Sequence, residues 1–321
     1  MTSEGPAGQA GQPAVEHPAA ATGFGHGKVI LLGEHTVVYG HPAVAAGLPE
    51  PFGVKAQLFP GTGQITAPGW DFSARVGDES PVGTALSRLF SSLGLTAQAN
   101  GAWPWDLTLE AQIPPGGGLG SSAAMAVAVA RAVSRLRPVS DEDLTRAVAA
   151  AETVFHGTPS GVDAAAARGA GIGLYTKTQG WQPARVRQPI KLCVGLSAET
   201  RSTADMVAQV AQLTRRSPSA RRVVDTLAEI TTAGIEALGA GDIDELGRQF
   251  DLAHGLLAGL RLSTPKLDAL VHAARAAGAL GAKLTGAGGG GAVIALAPSH
   301  RQDVLDRWRA AGFEGFVVSV G

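Results

Sequence analysis

Apolar and polar positions divide the chain into short, well-separated elements. Residues 28–32 read Lys-Val-Ile-Leu-Leu and stop at Gly33, the pattern of a buried strand. A short apolar run follows at 42–47, and residues 53–59 are a further strand candidate. Residues 106–111, Asp-Leu-Thr-Leu-Glu-Ala, alternate with period two, which predicts a half-exposed strand. Residues 123–136 are mostly apolar helix formers, and Ser140-Asp141-Glu142-Asp143 is placed to cap a helix running to Phe155. Strands are expected at 171–175 and 191–196. Beyond Leu196 the spacing becomes helical, at 204–213, 220–238, 243–260 and 265–277, the last with Thr264 as N-cap and Pro265 at N1. The final stretch reads strand (282–284), glycine loop, strand (292–297), helix (301–311), strand (315–320). Order is expected from near Gly27. A boundary near Pro189 divides the chain into residues 22–189 and 190–321, and no internal repeat is visible.

Composition narrows the reading. With 321 residues and 45% hydrophobic content the chain can bury a full core without staples. A formal net charge of −1 supplies no global field for nucleic acid or an anionic membrane, so an anionic ligand must be held by local groups. The single cysteine, Cys193, excludes an intrachain disulfide; within the apolar run 190–196 it reads as a small buried hydrophobe. No stretch is long and apolar enough to span a bilayer. Residues 1–21 are rich in Ala, Gly and Pro and lack the basic and apolar regions of a signal peptide, so they read as a disordered tail.

Four constellations carry candidate chemistry. The first is Pro114-Pro115-Gly116-Gly117-Gly118-Leu119-Gly120-Ser121-Ser122, ahead of a helix. Its glycines let the backbone approach a ligand, and the free N–H groups and positive end of the helix make a phosphate cradle. The serine hydroxyls suit Mg²⁺ or phosphate oxygens. No Gly-Lys-Ser/Thr ending is present, so this is not a Walker A loop. The second is Gly286-Ala287-Gly288-Gly289-Gly290-Gly291, between two apolar strands. Glycine costs roughly 0.5–1 kcal/mol per residue against alanine. A plain hairpin needs one or two, so the excess suggests backbone packing on a ligand or on the first glycine loop. The third is Lys28 at a strand start, followed by Glu34-His35 after Gly33. A strand-end lysine is ordinarily a solvated flank, and Glu-His can be an ordinary polar turn; together they could hold a small hydroxy acid. The fourth is Glu152 with His156-Gly157-Thr158-Pro159-Ser160-Gly161-Val162-Asp163. Asp163 could simply cap a helix. Glu152 opposes the dipole near a helix C-terminus, which hints at a compensating cation.

In this order and spacing the motifs resemble those of the GHMP kinase superfamily, over residues 28–40, 114–123 and 283–291. The resemblance extends from about Gly25 to the C-terminus. The strings Gly-Glu-His-Thr-Val-Val-Tyr-Gly and His-Gly-Thr-Pro-Ser-Gly-Val-Asp set the chain apart from galactokinases and homoserine kinases, and point to the branch acting on mevalonate. The resemblance implies an α+β fold in two lobes. The N-terminal lobe would be like the second domain of ribosomal protein S5, and the C-terminal lobe a ferredoxin-like sandwich with added helices. It implies a cytoplasmic enzyme that uses ATP with Mg²⁺ and phosphorylates the primary hydroxyl of mevalonate. A homodimer is compatible with it; nucleic acid and membrane are not expected partners.

Carried over by position, Asp163 and Lys28 are the catalytic pair. Pro115, Gly116, Gly117, Gly118, Leu119, Gly120, Ser121 and Ser122 cradle ATP, supported by Gly286, Ala287, Gly288 and Gly289. Ser122 and Glu152 hold the metal, and Glu34, His35 and Thr203 contact the acceptor. Departures from the family pattern are Gly25-His26-Gly27 before the lysine, Ala164 after the aspartate, and Ala198-Glu199 ahead of Arg201-Ser202-Thr203. None removes a group the reaction needs. One alternative is another GHMP kinase, chiefly one acting on phosphomevalonate, which would require cations near the acceptor loop beyond Arg201. A ligand-binding regulator on an inactive kinase fold would be expected to have lost Asp163, Lys28 or the glycine loops, and all are present.

Overall fold

The computed structural model describes residues 21–157 and 159–321, so the expected tail, apart from Ala21, lies outside the described residues. The strands are β1 (Ala21–His26), β2 (Lys28–Leu32), β3 (Ala43–Gly47), β4 (Gly53–Pro60), β5 (Gln64–Ala67), β6 (Phe72–Arg75), β7 (Trp105–Ala111), β8 (Gly171–Thr176), β9 (Gly180–Pro183), β10 (Ile190–Leu196), β11 (Gly281–Thr285), β12 (Ala292–Leu296) and β13 (Glu314–Val320). The α-helices are α1 (Pro81–Ser92), α2 (Ser121–Leu136), α3 (Asp141–His156), α4 (Val162–Ala166), α5 (Thr203–Arg216), α6 (Pro218–Ala240), α7 (Ile243–Gly259), α8 (Pro265–Ala276) and α9 (Arg301–Ala310).

Strands up to β9 form a five-stranded sheet, β1-β4-β7-β5-β6, and a four-stranded sheet, β2-β3-β8-β9. The strands from β10 onward form an antiparallel sheet ordered β11-β12-β10-β13. The caps expected from sequence are in place: Ser140 Oγ accepts from Asp143 N–H, and Thr264 Oγ1 from Leu267 N–H. Ser80 caps α1 in the same way, with Pro81 at N1, an N-terminal signal present in the sequence. Cys193 is fully buried, and burial pushes its thiol up to about 11. No helix among the described residues is long and apolar enough to cross a membrane.

Order begins earlier than the expected Gly27, because Ala21–His26 is strand β1, paired along its whole length with β4. Its glycines hid it. They carry no β-forming side chain, but they permit α2 to lie directly on the strand. A Cβ at Gly25 would sit 1.9 Å from the Ala124 carbonyl oxygen. Gly25→Ala therefore forces helix and strand apart and should cost at least about 1–3 kcal/mol. A urea unfolding midpoint equal to wild type would contradict this packing.

Thr285 ties the β11 sheet to β2. Its hydroxyl accepts from the Ile30 N–H at 2.8 Å and donates to the Ile30 carbonyl at 2.9 Å, with both residues buried. The cleft lies where these elements meet.

Candidate active site

The first glycine loop delivers α2 with an uncapped start. Its N-cap is Gly120, in a left-handed conformation, which has no side chain to bond the first-turn N–H groups. Those donors are left for a ligand, and with the helix dipole they favour an anion. The second glycine loop packs against the first. A Cβ on Gly291 would lie 3.3 Å from Gly118 Cα, and Gly291 has φ +85°. Of the two uses expected for the extra glycines, backbone packing on the first loop is therefore observed.

Lys28 is no solvated flank. It is 3% exposed, and its Nζ donates to the Gly118 carbonyl at 3.0 Å and pairs with Asp163 Oδ1 at 3.2 Å. One ammonium thus joins the phosphate-type loop to the candidate acid. Asp163 does not cap α4; Gly161 does, with φ +92°, and Asp163 stands in the first turn.

Glu152 is 1% exposed near the end of α3. Its Oε1 has no hydrogen-bond partner among the described residues. Burial raises its carboxyl to about 7, with Asp163 adding to the rise and the Ser122 hydroxyl and Lys28 opposing it. His156, one helical turn on, has Nε2 3.6 Å from Glu152 Oε2 and 3.3 Å from Ser122 Oγ. Burial lowers the His156 pKa, so near neutral pH this is not a strong ion pair. Among the described residues no group of three or more His, Cys, Asp or Glu is arranged to hold a metal ion.

Glu34 and His35 are both buried, and each is already engaged. Glu34 Oε1 accepts from Lys283 Nζ. His35 has φ 64°, and its Nε2 lies 2.9 Å from the Ala287 carbonyl. Burial lowers the His35 pKa, so the ring is neutral near pH 7; Nε2–H donates to that carbonyl and Nδ1 is left as an acceptor. Thr203 begins α5, which Ser202 caps by accepting from Asp205 N–H. Glu199, one of the departures from the family pattern, braces the second loop: its carbonyl accepts from Gly291 N–H at 2.8 Å, and its carboxylate accepts from Thr264 Oγ1 at 2.7 Å.

A cavity of about 830 Å³ brings most of these groups together. Lys28, Glu34, His35, Pro115, Gly116, Gly118, Gly120, Ser121, Ser122, Glu152, Asp163, Thr203, Gly286, Ala287 and Gly288 line it. Gly117, Leu119 and Gly289 do not. Leu119 is fully buried and its carbonyl accepts from Lys28 N–H, while Gly289 packs beside Met206 and Arg201. Trp70, Phe72, Val82 and Phe155 supply apolar lining, as do Val37, Val38 and Val207. His156, Lys177 and Arg201 also line the cavity, and Lys283 backs Glu34. His156, Arg201 and Lys283 lie within the motifs read from sequence but were assigned no role there, and Lys177 lies outside those motifs. The signal for Lys283 was a lysine inside a short apolar strand, Gly-Ala-Lys-Leu-Thr, directly before the glycine loop.

A two-lobed fold with paired glycine loops, an open helix start and a buried Lys-Asp pair is that of a small-molecule phosphotransferase. Residues 82–170 match the family "GHMP kinases N terminal domain", and residues 235–314 match the family "GHMP kinases C terminal". The chain is 35% identical over 309 residues to a mevalonate kinase of Pyrococcus horikoshii, covering 89% of this chain and 91% of that one. It is 35% identical over 294 residues to a mevalonate kinase of Methanothermobacter thermautotrophicus, covering 88% and 93%. The L. major mevalonate kinase structure in complex with R-mevalonate superposes with a TM-score of 0.80 at 29% identity, over 96% of this chain and 98% of that one. The Streptococcus pneumoniae phosphomevalonate kinase, at 20% identity and TM-score 0.71, shares the fold. This chain belongs to the mevalonate kinase family of the GHMP kinases.

Proposed function

We propose that the cleft transfers the γ-phosphoryl group of ATP to the primary hydroxyl of mevalonate, giving 5-phosphomevalonate. The observation that carries this reading is the position of Lys28, bonded at once to the first glycine loop and to Asp163. Phosphoryl transfer needs positioning and charge neutralisation more than covalent chemistry. The uncapped start of α2 receives the phosphates. Trp70, Phe72 and Phe155 suit a flat aromatic base. Asp163 accepts a hydrogen bond from the acceptor hydroxyl and takes its proton as transfer proceeds. Lys28 keeps Asp163 in place and offsets negative charge on the transferring group.

The residues present fit Mg²⁺. Glu152 Oε1 is a buried carboxylate oxygen without a partner among the described residues, and the Ser122 hydroxyl is close by. Mg²⁺ takes hard oxygen donors, usually one or two carboxylates with phosphates and waters, so no larger cluster of acidic groups is required. When bound it would neutralise phosphate charge. Glu152 and Ser122 would hold it.

Lys177 and Arg201 beside the cavity favour a second reading, in which the acceptor carries a phosphate. We favour mevalonate because the acceptor side is otherwise walled by Val37, Val38 and Val207, and because its histidine is neutral. A phosphate ester would bring about two further charges. Mevalonate should be preferred over 5-phosphomevalonate by at least about a hundredfold in kcat/KM, roughly 2.7 kcal/mol. ADP release with each acceptor, at one pH and ionic strength, measures this. Comparable rates would move the assignment to the phosphorylated acceptor and leave the phosphotransferase reading standing.

A further inference from the structure

Three alternate residues of β11 and the loop behind it each grip one point of the segment from β2 to the Glu34-His35 turn. Lys283 Nζ donates to Glu34 Oε1, Thr285 bonds both backbone groups of Ile30, and the Ala287 carbonyl accepts from His35 Nε2. Period two puts Lys283 and Thr285 on one face of the strand. Lys283 is completely buried, and Glu34 is 3% exposed. Burial pushes the Lys283 ammonium pKa down and Glu34 acts against that, so the lysine's charge depends on its carboxylate partner. His35 holds a positive φ, 64°, which non-glycine residues keep only where their surroundings impose it. Here the surroundings are the Lys283 ion pair on one side and the Ala287 carbonyl on the other. Glu34 and His35 line the cavity, whereas Lys283 does not.

We infer that Lys283 is a positioning residue for the acceptor: it touches no substrate, but by neutralising Glu34 it fixes the turn that presents His35 to the acceptor side of the cleft. The inference rests on the phosphotransfer reading, and Glu34 becomes the anchor of the turn rather than a substrate contact. A purely structural ion pair would support both substrates alike. A positioning pair acts on the acceptor.

The test compares Lys283→Met, Glu34→Gln and the double variant, each with the acceptor that the wild type phosphorylates. If the wild type does not use mevalonate, the functional reading fails, and the comparison runs with the acceptor it does use. Lys283→Met should raise the acceptor KM about tenfold or more and leave the ATP KM within about twofold. The double variant leaves no unpaired buried charge and should return the acceptor KM to within about threefold of wild type. Equal changes in both KM values, an unchanged acceptor KM, or a double variant no better than Lys283→Met would overturn the inference. Should Lys283→Met not fold, the double variant is judged against Glu34→Gln. An acceptor KM nearer to wild type than that of Glu34→Gln supports the positioning role, and an equal or higher one overturns it.

Discussion

Replacing Asp163 with asparagine is expected to lower kcat by about 10²–10⁴, the usual loss when a positioned acid–base group is removed. Asparagine keeps the size of the side chain and can still meet Lys28, so the fold and the cleft walls should persist. It cannot take up the acceptor proton. It also leaves Lys28, 3% exposed and 3.2 Å away in the wild type, without its carboxylate. ATP affinity should change little, because the phosphate cradle is the start of α2, on a different segment. The measurement pairs steady-state kcat with the dissociation constant for a non-hydrolysable ATP analogue. Near-normal turnover in a folded variant would remove Asp163 from the chemistry. A matching loss of nucleotide affinity would make it part of the nucleotide site.

Glu152→Gln should act in two ways at once. Loss of the carboxylate that would hold Mg²⁺ should reduce kcat by about 10²–10³ and raise the Mg²⁺ concentration needed for half-maximal rate. An unchanged Mg²⁺ titration would count against Glu152 as a ligand. The second effect is on stability in buffer without nucleotide or divalent ions. In the fold this carboxyl holds its proton up to about pH 7, against an ordinary 4.5. Between those values the folded state binds more protons than the unfolded chain, so the wild type loses stability as pH rises through the window. Glutamine has no such slope. The unfolding free energy of Glu152→Gln relative to wild type should therefore widen between pH 4.5 and 7, by on the order of 3 kcal/mol. Parallel pH profiles for the two proteins would mean that Glu152 is ionised in the fold by a partner other than a metal.

The sequence by itself determined the local elements and the types of chemical group available. Period-two and helical spacing gave β7, α2, α3 and the helices α5 to α8, because each element buries one face and its pattern records which. Ser140 and Thr264 announced their helices, because capping is a contact between near neighbours. The glycine clusters marked places where backbone must come close to something, and a motif resemblance suggested what. Strand β1 stayed hidden, because its glycines answer to a helix about a hundred residues later in the chain and not to the strand's own propensity.

Only the tertiary structure decided which candidate groups meet and what each is free to do. Spacing alone left Lys28 open as a solvated strand flank, and only the motif resemblance paired it with Asp163; the fold brings both Gly118 and Asp163 to it. Glu34 read as a substrate contact, yet its carboxylate is held by a lysine 249 residues away. Glu152 acquires its raised pKa from burial beside Asp163, a property of the packed interior that no spacing along the chain encodes. The reason is common to all three. Charge, burial and hydrogen-bond partner are fixed by atoms close in space, and pairs distant in sequence leave no local periodic trace.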